Sequence, residues 1–252
     1  MYQNERLESI TELVRQYGYV TVKYLASVLH YSTATINRDL NALEGRGVLK
    51  RTYGGVEITD KHTYVPLPFR YHQSRSEKLK LDKKAAELIG DGETVFIDAG
   101  TTTEHIGQFL AEKKDLTVIT NNIALAARIS EMKIRTIVLG GEIIEPPAMI
   151  WSAETTEAVL KYRADKLFFS SSSATKNGEV YFRENAALPL MAAMMKQSKK
   201  TYFLVDGDKL TGDPKSGIYF FCDFSSCTGV ISDYAFSPEV KAAFPDTEFI
   251  EV

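Results

Sequence analysis

Apolar residues recur at helical spacing three times within the first fifty positions; further on, short continuous apolar runs alternate with helix-length stretches. Leu7, Ile10, Leu13, Val14 and Tyr17 fall on one face of a first helix, which Gly18 closes as a left-handed cap. Thr21 caps a second helix whose Val22, Leu25, Ala26 and Leu29 face inward. After the short link His30-Tyr31-Ser32, Ser32 caps a third helix that Gly45 and Gly47 end. At about 100° per residue, Ile36, Leu40 and Leu43 of that helix share one narrow stripe, and Ala34, Asn37, Arg38 and Asn41 lie opposite. Residues 48–56 read as two short strands.

Residues 58–75 hold Pro66 and Pro68, each of which denies helix to its neighbour, and form an extended connector. From Ser76 the spacing of Leu79, Lys83, Ala86 and Leu88-Ile89 predicts a helix ending at Gly90-Asp91-Gly92. Buried strands are expected at 94–98, 116–120, 135–139, 166–169, 201–205, 228–232 and 248–250. Continuous apolar strands with helices between them indicate a parallel sheet covered on both faces. The expected fold class is α/β: a winged helix-turn-helix at 1–57, a linker at 58–75, and a doubly wound, mostly parallel sheet domain at 76–252.

The polar face of the third helix carries small residues with Asn and Arg, where a helix needed only for packing would more often show Lys and Glu. Such a face suits the major groove, in which Asn can pair with adenine and Arg with guanine. Thr33, Thr35, Asn37, Arg38 and Asn41 are therefore expected to read or flank bases, with Ser32 as cap. Lys50 and Arg51, in the wing, are expected to hold phosphates.

Ligands of doubly wound sheets bind outside the carboxyl ends of the strands, and those ends hold the second set of candidates. Asp98-Ala99-Gly100-Thr101-Thr102-Thr103 follows the first strand and opens a helix, whose free amides together with the threonine hydroxyls make an anion pocket. Asn121-Asn122 ends the second strand, Gly140-Gly141 the third, and Asp206-Gly207-Asp208-Lys209 a later one. An anionic ligand bearing hydroxyls is the expectation, held by Asp98, Gly100, Thr101, Thr102, Thr103, Asn121, Gly140, Gly141 and Lys209.

Charge sharpens this division. Residues 1–75 carry ten Lys/Arg against seven Asp/Glu, a net +3, whereas the rest carry twenty against twenty-six, a net −6. A basic head on an acidic body fits one nucleic-acid surface and no general polyanion coat. The chain opens without a signal-peptide pattern and holds no apolar run of about 18 residues, so cytoplasmic residence with no membrane contact is expected. Cys222 and Cys227 have no nearby His and are expected as reduced, partly buried thiols. His30, His62, His72 and His105 are scattered, so neither a metal nor any other cofactor is expected.

The run Val20-Thr21-Val22, Leu25-Ala26, Ser32-Thr33-Ala34-Thr35-Ile36-Asn37-Arg38-Asp39-Leu40, Leu43-Glu44, Gly47-Val48-Leu49-Lys50-Arg51 and Gly54-Gly55-Val56 closely resembles the DNA-binding domain of DeoR-type transcriptional regulators. Their usual recognition helix reads Ser-x-x-Thr-Ile-Arg-Arg-Asp-Leu, and Asn37 stands where they have the first Arg, which implies an altered operator preference. The body resembles the sensor domain of the same family, itself related to ribose-5-phosphate isomerase, through Asp98-Ala99-Gly100-Thr101-Thr102, Thr120-Asn121-Asn122, Leu139-Gly140-Gly141 and Arg163-Ala164-Asp165-Lys166. It departs at Ser170-Ser171-Ser172-Ser173-Ala174, where the family has Gly-Ala-Asp-Gly, at Asp206-Gly207-Asp208-Lys209 in place of Asp-Ser-Ser-Lys, and around Leu188-Pro189, where a basic residue is expected beyond Glu184.

The resemblance implies a regulator, most simply a repressor of sugar or carbon metabolism genes, that binds a double-stranded DNA operator and answers to a phosphorylated sugar or related metabolite. One head reads too few base pairs for useful selectivity, so a homo-oligomer, dimer or tetramer, is expected. Two alternatives stay open. One is a sugar-phosphate isomerase-like enzyme, which needs a carboxylate base and a polarising cation; the serine run removes the likeliest base, while Asp98, Glu184 and Asp206 remain. The other is a regulator whose body is only an oligomerisation scaffold, using exposed apolar residues near Met191, Met194 and Met195.

Overall fold

A computed structural model describes residues 3–46, 48–52, 54–58, 74–145, 149–211 and 218–252. The chain divides into two compact units, Met1–Arg75 and Ser76–Val252. Gly47 and the prolines of the connector lie outside the described residues.

In the first unit, α1 (Gln3–Tyr17), α2 (Val22–Leu29) and α3 (Thr33–Gly45) enclose a core of Leu7, Ile10, Val14, Leu25, Ile36, Leu40 and Leu43. The expected caps form. Gly18 has φ 72° and donates its N–H to the Val14 carbonyl at 2.7 Å, and the Thr21 and Ser32 side chains accept from the backbone N–H groups of Tyr24 and Thr35. β2 (Leu49–Thr52) and β3 (Gly55–Ile58) pair antiparallel as the wing. β1 (Tyr19–Thr21), absent from the sequence reading, adds a third strand against β3. Its three residues are too few to show a period of two, and only the pairing defines it.

The second unit is built on seven parallel strands: β4 (Thr94–Ile97), β5 (Thr117–Thr120), β6 (Arg135–Val138), β9 (Ala164–Phe169), β12 (Ser198–Val205), β15 (Gly229–Ser232) and β16 (Glu248–Glu251). Their spatial order is β16-β15-β12-β9-β4-β5-β6. Successive side chains point to opposite faces, so Phe96, Leu167, Phe169, Phe203 and Val205 pack in one core while Val95, Ile97, Phe168, Tyr202 and Leu204 pack in another. Two buried faces are why these strands read as unbroken apolar runs. α4 (Arg75–Glu87) and α5 (Ile123–Ser130) cover the second face; α6 (Ala153–Val159) and α7 (Ala187–Lys196) cover the first.

Two expectations are corrected here. The inward face of α4 is Lys78, Leu81, Asp82, Ala85 and Ala86, not the stripe through Leu79 and Lys83; Lys83 is exposed. Met191 and Met194 are buried in the core and offer no exposed surface for assembly, as suits a flexible, gap-filling side chain. The smaller pairings were also missed: β7 (Ile143–Glu145) with β8 (Met149–Ile150), and a four-stranded sheet in the order β13-β10-β11-β14. The members of that sheet are β10 (Ser173–Thr175), β11 (Glu179–Phe182), β13 (Leu210–Thr211) and β14 (Tyr219–Asp223). The serine run thus leads from the end of β9 into β10.

Candidate functional sites

The recognition-helix candidates share one side of α3. Thr33, Ala34, Arg38 and Asn41 are exposed, and Thr35 and Asn37 are half-buried. The opposite side is anchored by more than apolar packing. Asp39 is 1% exposed and accepts a two-pronged pair from Arg6, through Nε and, at 3.0 Å, Nη2. Arg6 in turn lies 4.7 Å over the Tyr31 ring. This α1–α3 clasp was missed in the sequence, although its signal was there: Asp39 falls in phase with Ile36, Leu40 and Leu43.

Lys50 and Arg51 part company. Lys50 projects to solvent, 3.7 Å from Glu57 on the adjoining strand, a surface pair that a phosphate can displace. Arg51 turns back onto α3. Its Nη1 donates to Asn37 Oδ1 and its Nη2 to the Asn37 carbonyl, both at 2.9 Å, while its backbone N–H donates to Glu44.

In the second unit the strand order reverses between β9 and β4: from β4 the chain runs outward through β5 and β6, and from β9 outward through β12, β15 and β16. Loops leaving neighbouring strands at such a point diverge and open a crevice. Asp98 follows β4, Ser170 follows β9 and Asp206 follows β12, so three of the loops meet there. Lys209 spans them, with Nζ 2.8 Å from Thr102 Oγ1 and 2.9 Å from Ser170 Oγ. A second lysine reaches the same loop: Lys78, 4% exposed on α4, donates to Thr101 Oγ1 at 3.2 Å. Two ammonium groups therefore converge on adjacent threonines. Lys78 was not among the sequence candidates, and its signal was a Lys-x-x-x-Asp pair in phase with Leu81 and Ala85.

The remaining candidates have different placements. Asn121 is fully buried and ties the loop down, accepting from the Ala99 N–H at 2.9 Å and donating to the Ile150 carbonyl. Thr103 donates to the Asp98 carbonyl at 2.7 Å. Gly140 and Gly141 follow β6, two strands from the reversal, and pack on the start of α6. Thr155 Oγ1 donates to the Gly140 carbonyl, and a Cβ on Gly141, whose φ is 150°, would lie 2.2 Å from that same oxygen. The expected helix after the threonines is a short 3₁₀ turn, Glu104–Phe109, which aligns few amide dipoles. Glu184 is exposed beside Arg183.

The acidic groups around the lysines are strained by burial. Desolvation raises the Asp98 carboxyl to about 7, against the opposing pull of the Ala99 amide, Asn121 and Lys209, and its Oδ1 has no hydrogen-bond partner. Burial likewise holds Asp82 well above the ordinary carboxylate range; the His105 backbone and Lys78 oppose the shift and Glu104 adds to it. The folded protein keeps the Asp98 proton up to about pH 7, while the unfolded chain releases it near the ordinary 3.8. Its contribution to stability is therefore fully present below that lower value and is lost as pH rises through about 7. The melting temperature of the second unit should fall between pH 5 and pH 8, and Asp98→Asn should flatten that fall, leaving the share due to Asp82. An unchanged slope in the variant would refute the assignment.

Among the described residues no group of His, Cys, Asp and Glu is placed to hold a metal ion, and no helix is long and apolar enough to cross a membrane. Cys222 and Cys227 are free and buried.

Comparison with known proteins covers both units. Residues 6–62 match the DeoR-like helix-turn-helix domain, and residues 73–234 match the DeoR C terminal sensor domain. The lactose phosphotransferase system repressor of Staphylococcus aureus (strain NCTC 8325 / PS 47) is 30% identical over 249 residues, 96% of either chain. The repressor of the same name from Streptococcus mutans is 31% identical over 256 residues, 99% of this chain and 100% of that one. An uncharacterized HTH-type transcriptional regulator, FruR of Bacillus subtilis, is 31% identical over 211 residues, 83% of this chain and 84% of its own. Among solved structures, ribose 5-phosphate isomerase A of Methanocaldococcus jannaschii superposes on 56% of each chain with a TM-score of 0.42 and 16% identity.

Proposed function

We propose, for a chain that belongs to the DeoR family of transcriptional regulators, that it represses genes of sugar or carbon metabolism and is released or engaged by a phosphorylated sugar or a related metabolite. The observation that carries the DNA-binding half is the two-sided character of α3. Ile36, Asp39, Leu40 and Leu43 are taken up by the protein's own interior, which leaves Thr33, Ala34, Arg38 and Asn41 outward for a duplex. Arg38, exposed with Ala34 one turn before it, suits the paired acceptors of guanine. Lys50 supplies charge to the phosphate backbone, so affinity should fall with salt as counterions are released.

Arg38→Ala is expected to weaken binding to the cognate operator by about 1–3 kcal/mol while changing binding to unrelated duplex far less. Titration of both duplexes at one salt concentration measures this. Equal loss on both would recast Arg38 as a phosphate contact, and no loss would remove α3 from the groove.

The effector half rests on Lys78 and Lys209. Two ammonium groups on a threonine-rich loop at the strand-order reversal suit a dianionic phosphate, and Ser170 and Asp98 suit sugar hydroxyls. Homo-oligomerisation would let two heads engage repeated half-sites, and the ligand would shift the spacing of the heads by as much as its affinities for the two arrangements differ. Catalysis is not expected, because aldose-phosphate isomerisation wants an ionised carboxylate beside the substrate carbon. Here the end of β9 offers the Ser170 hydroxyl instead. Turnover of ribose 5-phosphate by the purified chain would overturn that expectation.

A further inference from the structure

The contact between Arg51 and Asn37 bears on which base α3 selects. Arginine carries donors and no acceptor, so the Asn37 atom facing Nη1 is its carbonyl oxygen, and the second prong, from Nη2 to the Asn37 main-chain carbonyl, fixes the guanidinium against the helix. Glu44 holds the same arginine from two turns further along α3, its Oε1 accepting the Arg51 N–H at 3.1 Å and its Oε2 lying 3.9 Å from Nε. The Asn37 amide is thereby oriented by a residue fourteen positions away, and its remaining polar group is the Nδ2 amino group. Adenine recognition by asparagine uses both ends of the amide, the oxygen accepting from N6 and the nitrogen donating to N7. In this protein the oxygen already faces a guanidinium, and that positive charge makes the neighbourhood attractive to acceptors and hostile to a further amino group.

We propose that Arg51 is a positioning residue for specificity: it orients Asn37 so that the recognition helix selects a keto base, guanine or thymine, at one position of each half-site and rejects the amino bases adenine and cytosine there. The inference rests on α3 entering the major groove. It also gives the wing a role in sequence selection besides phosphate contact, and it assigns the chain's departure at Asn37 a definite consequence. O6 of guanine or O4 of thymine accepts from Nδ2; cytosine sets its N4 donor against that donor, and adenine, whose N7 could accept, brings its N6 amino group up against the Arg51 guanidinium.

The test is selection of bound duplexes from a random library by the full-length wild type, Asn37→Asp and Arg51→Lys, with the melting temperature of each variant recorded. Wild type should yield a consensus with a keto base at the position that responds to residue 37. Asn37→Asp keeps the shape and the acceptor for Arg51 but replaces the Nδ2 donor with an acceptor. It should invert that one position to an amino base and bind the wild-type consensus about ten- to a hundredfold more weakly. Arg51→Lys keeps the charge but loses the two-pronged grip, so it should relax the same position to keto and amino bases alike while leaving the salt dependence intact. Adenine selected there by wild type overturns the proposal. So does an Arg51→Lys variant with unaltered base preference, or one that weakens all sequences equally, since that is how a phosphate contact behaves. If wild type selects no consensus at all, the groove reading of α3 fails, and the proposal fails with it.

Discussion

Asp39→Ala is expected to unfold the DNA-binding unit or leave it close to unfolding, and to abolish operator binding without touching the body. The carboxylate is buried and takes two hydrogen bonds from Arg6, so its removal leaves a guanidinium at the α1–α3 contact with only the Tyr31 ring and partial access to water in place of its counter-charge. Breaking a buried pair by deleting one partner costs about 3 kcal/mol or more. A unit of this size holds only about 4–11 kcal/mol in total at the usual stability per residue. Calorimetry of the full chain should show the transition of the first unit moving down or disappearing while the second stays in place. Arg6→Lys, which keeps the charge but not the planar fork, should fall between the variant and wild type. Operator binding by Asp39→Ala at wild-type affinity would show that the clasp does not hold the recognition helix.

Thr101→Glu is expected to abolish the response to sugar phosphates. The introduced carboxylate would stand beside Lys78, pair with it, and repel an incoming phosphate from the position the two lysines create. Wild type at a hundredfold excess of ligand over Kd should gain about 2.7 kcal/mol of stability by mass action, read as a rise in melting temperature across a panel of sugar phosphates. In Thr101→Glu that rise should vanish, while binding of the unliganded protein to its operator persists. Lys209→Met should give a graded result. It removes one of two ammonium groups and one charge-assisted contact, which weakens the ligand about ten- to a hundredfold and leaves some response at high concentration. A full thermal response in both variants would place the effector elsewhere in the chain.

What could be read ahead of the structure follows a physical boundary. Ser32 and Thr21 were legible as caps because a cap acts on groups two or three residues away. The parallel strands were legible because burial on both faces forces unbroken apolar runs. The threonine loop was legible as a strand end, but the turn after it winds as 3₁₀ around the buried Ile106, which its sequence did not distinguish from an α-helix. Lys78 and Asp39 were passed over because a charge in an apolar stripe has no meaning until its partner is known, and those partners lie 23 and 33 residues away.

The sequence by itself determined the three helices of the first unit, the strands of the parallel sheet, the caps and the two-sided character of α3, since each depends on side chains within about one turn or one strand of each other. Only the tertiary structure decided which groups meet: Lys209 across the ends of β4 and β9, Lys78 on the threonine loop, Arg6 on Asp39, Arg51 on Asn37. A hydrogen bond needs its atoms within about 3 Å of each other. For residues remote in sequence that distance is set by the packing of whole elements, not by anything in the residues themselves.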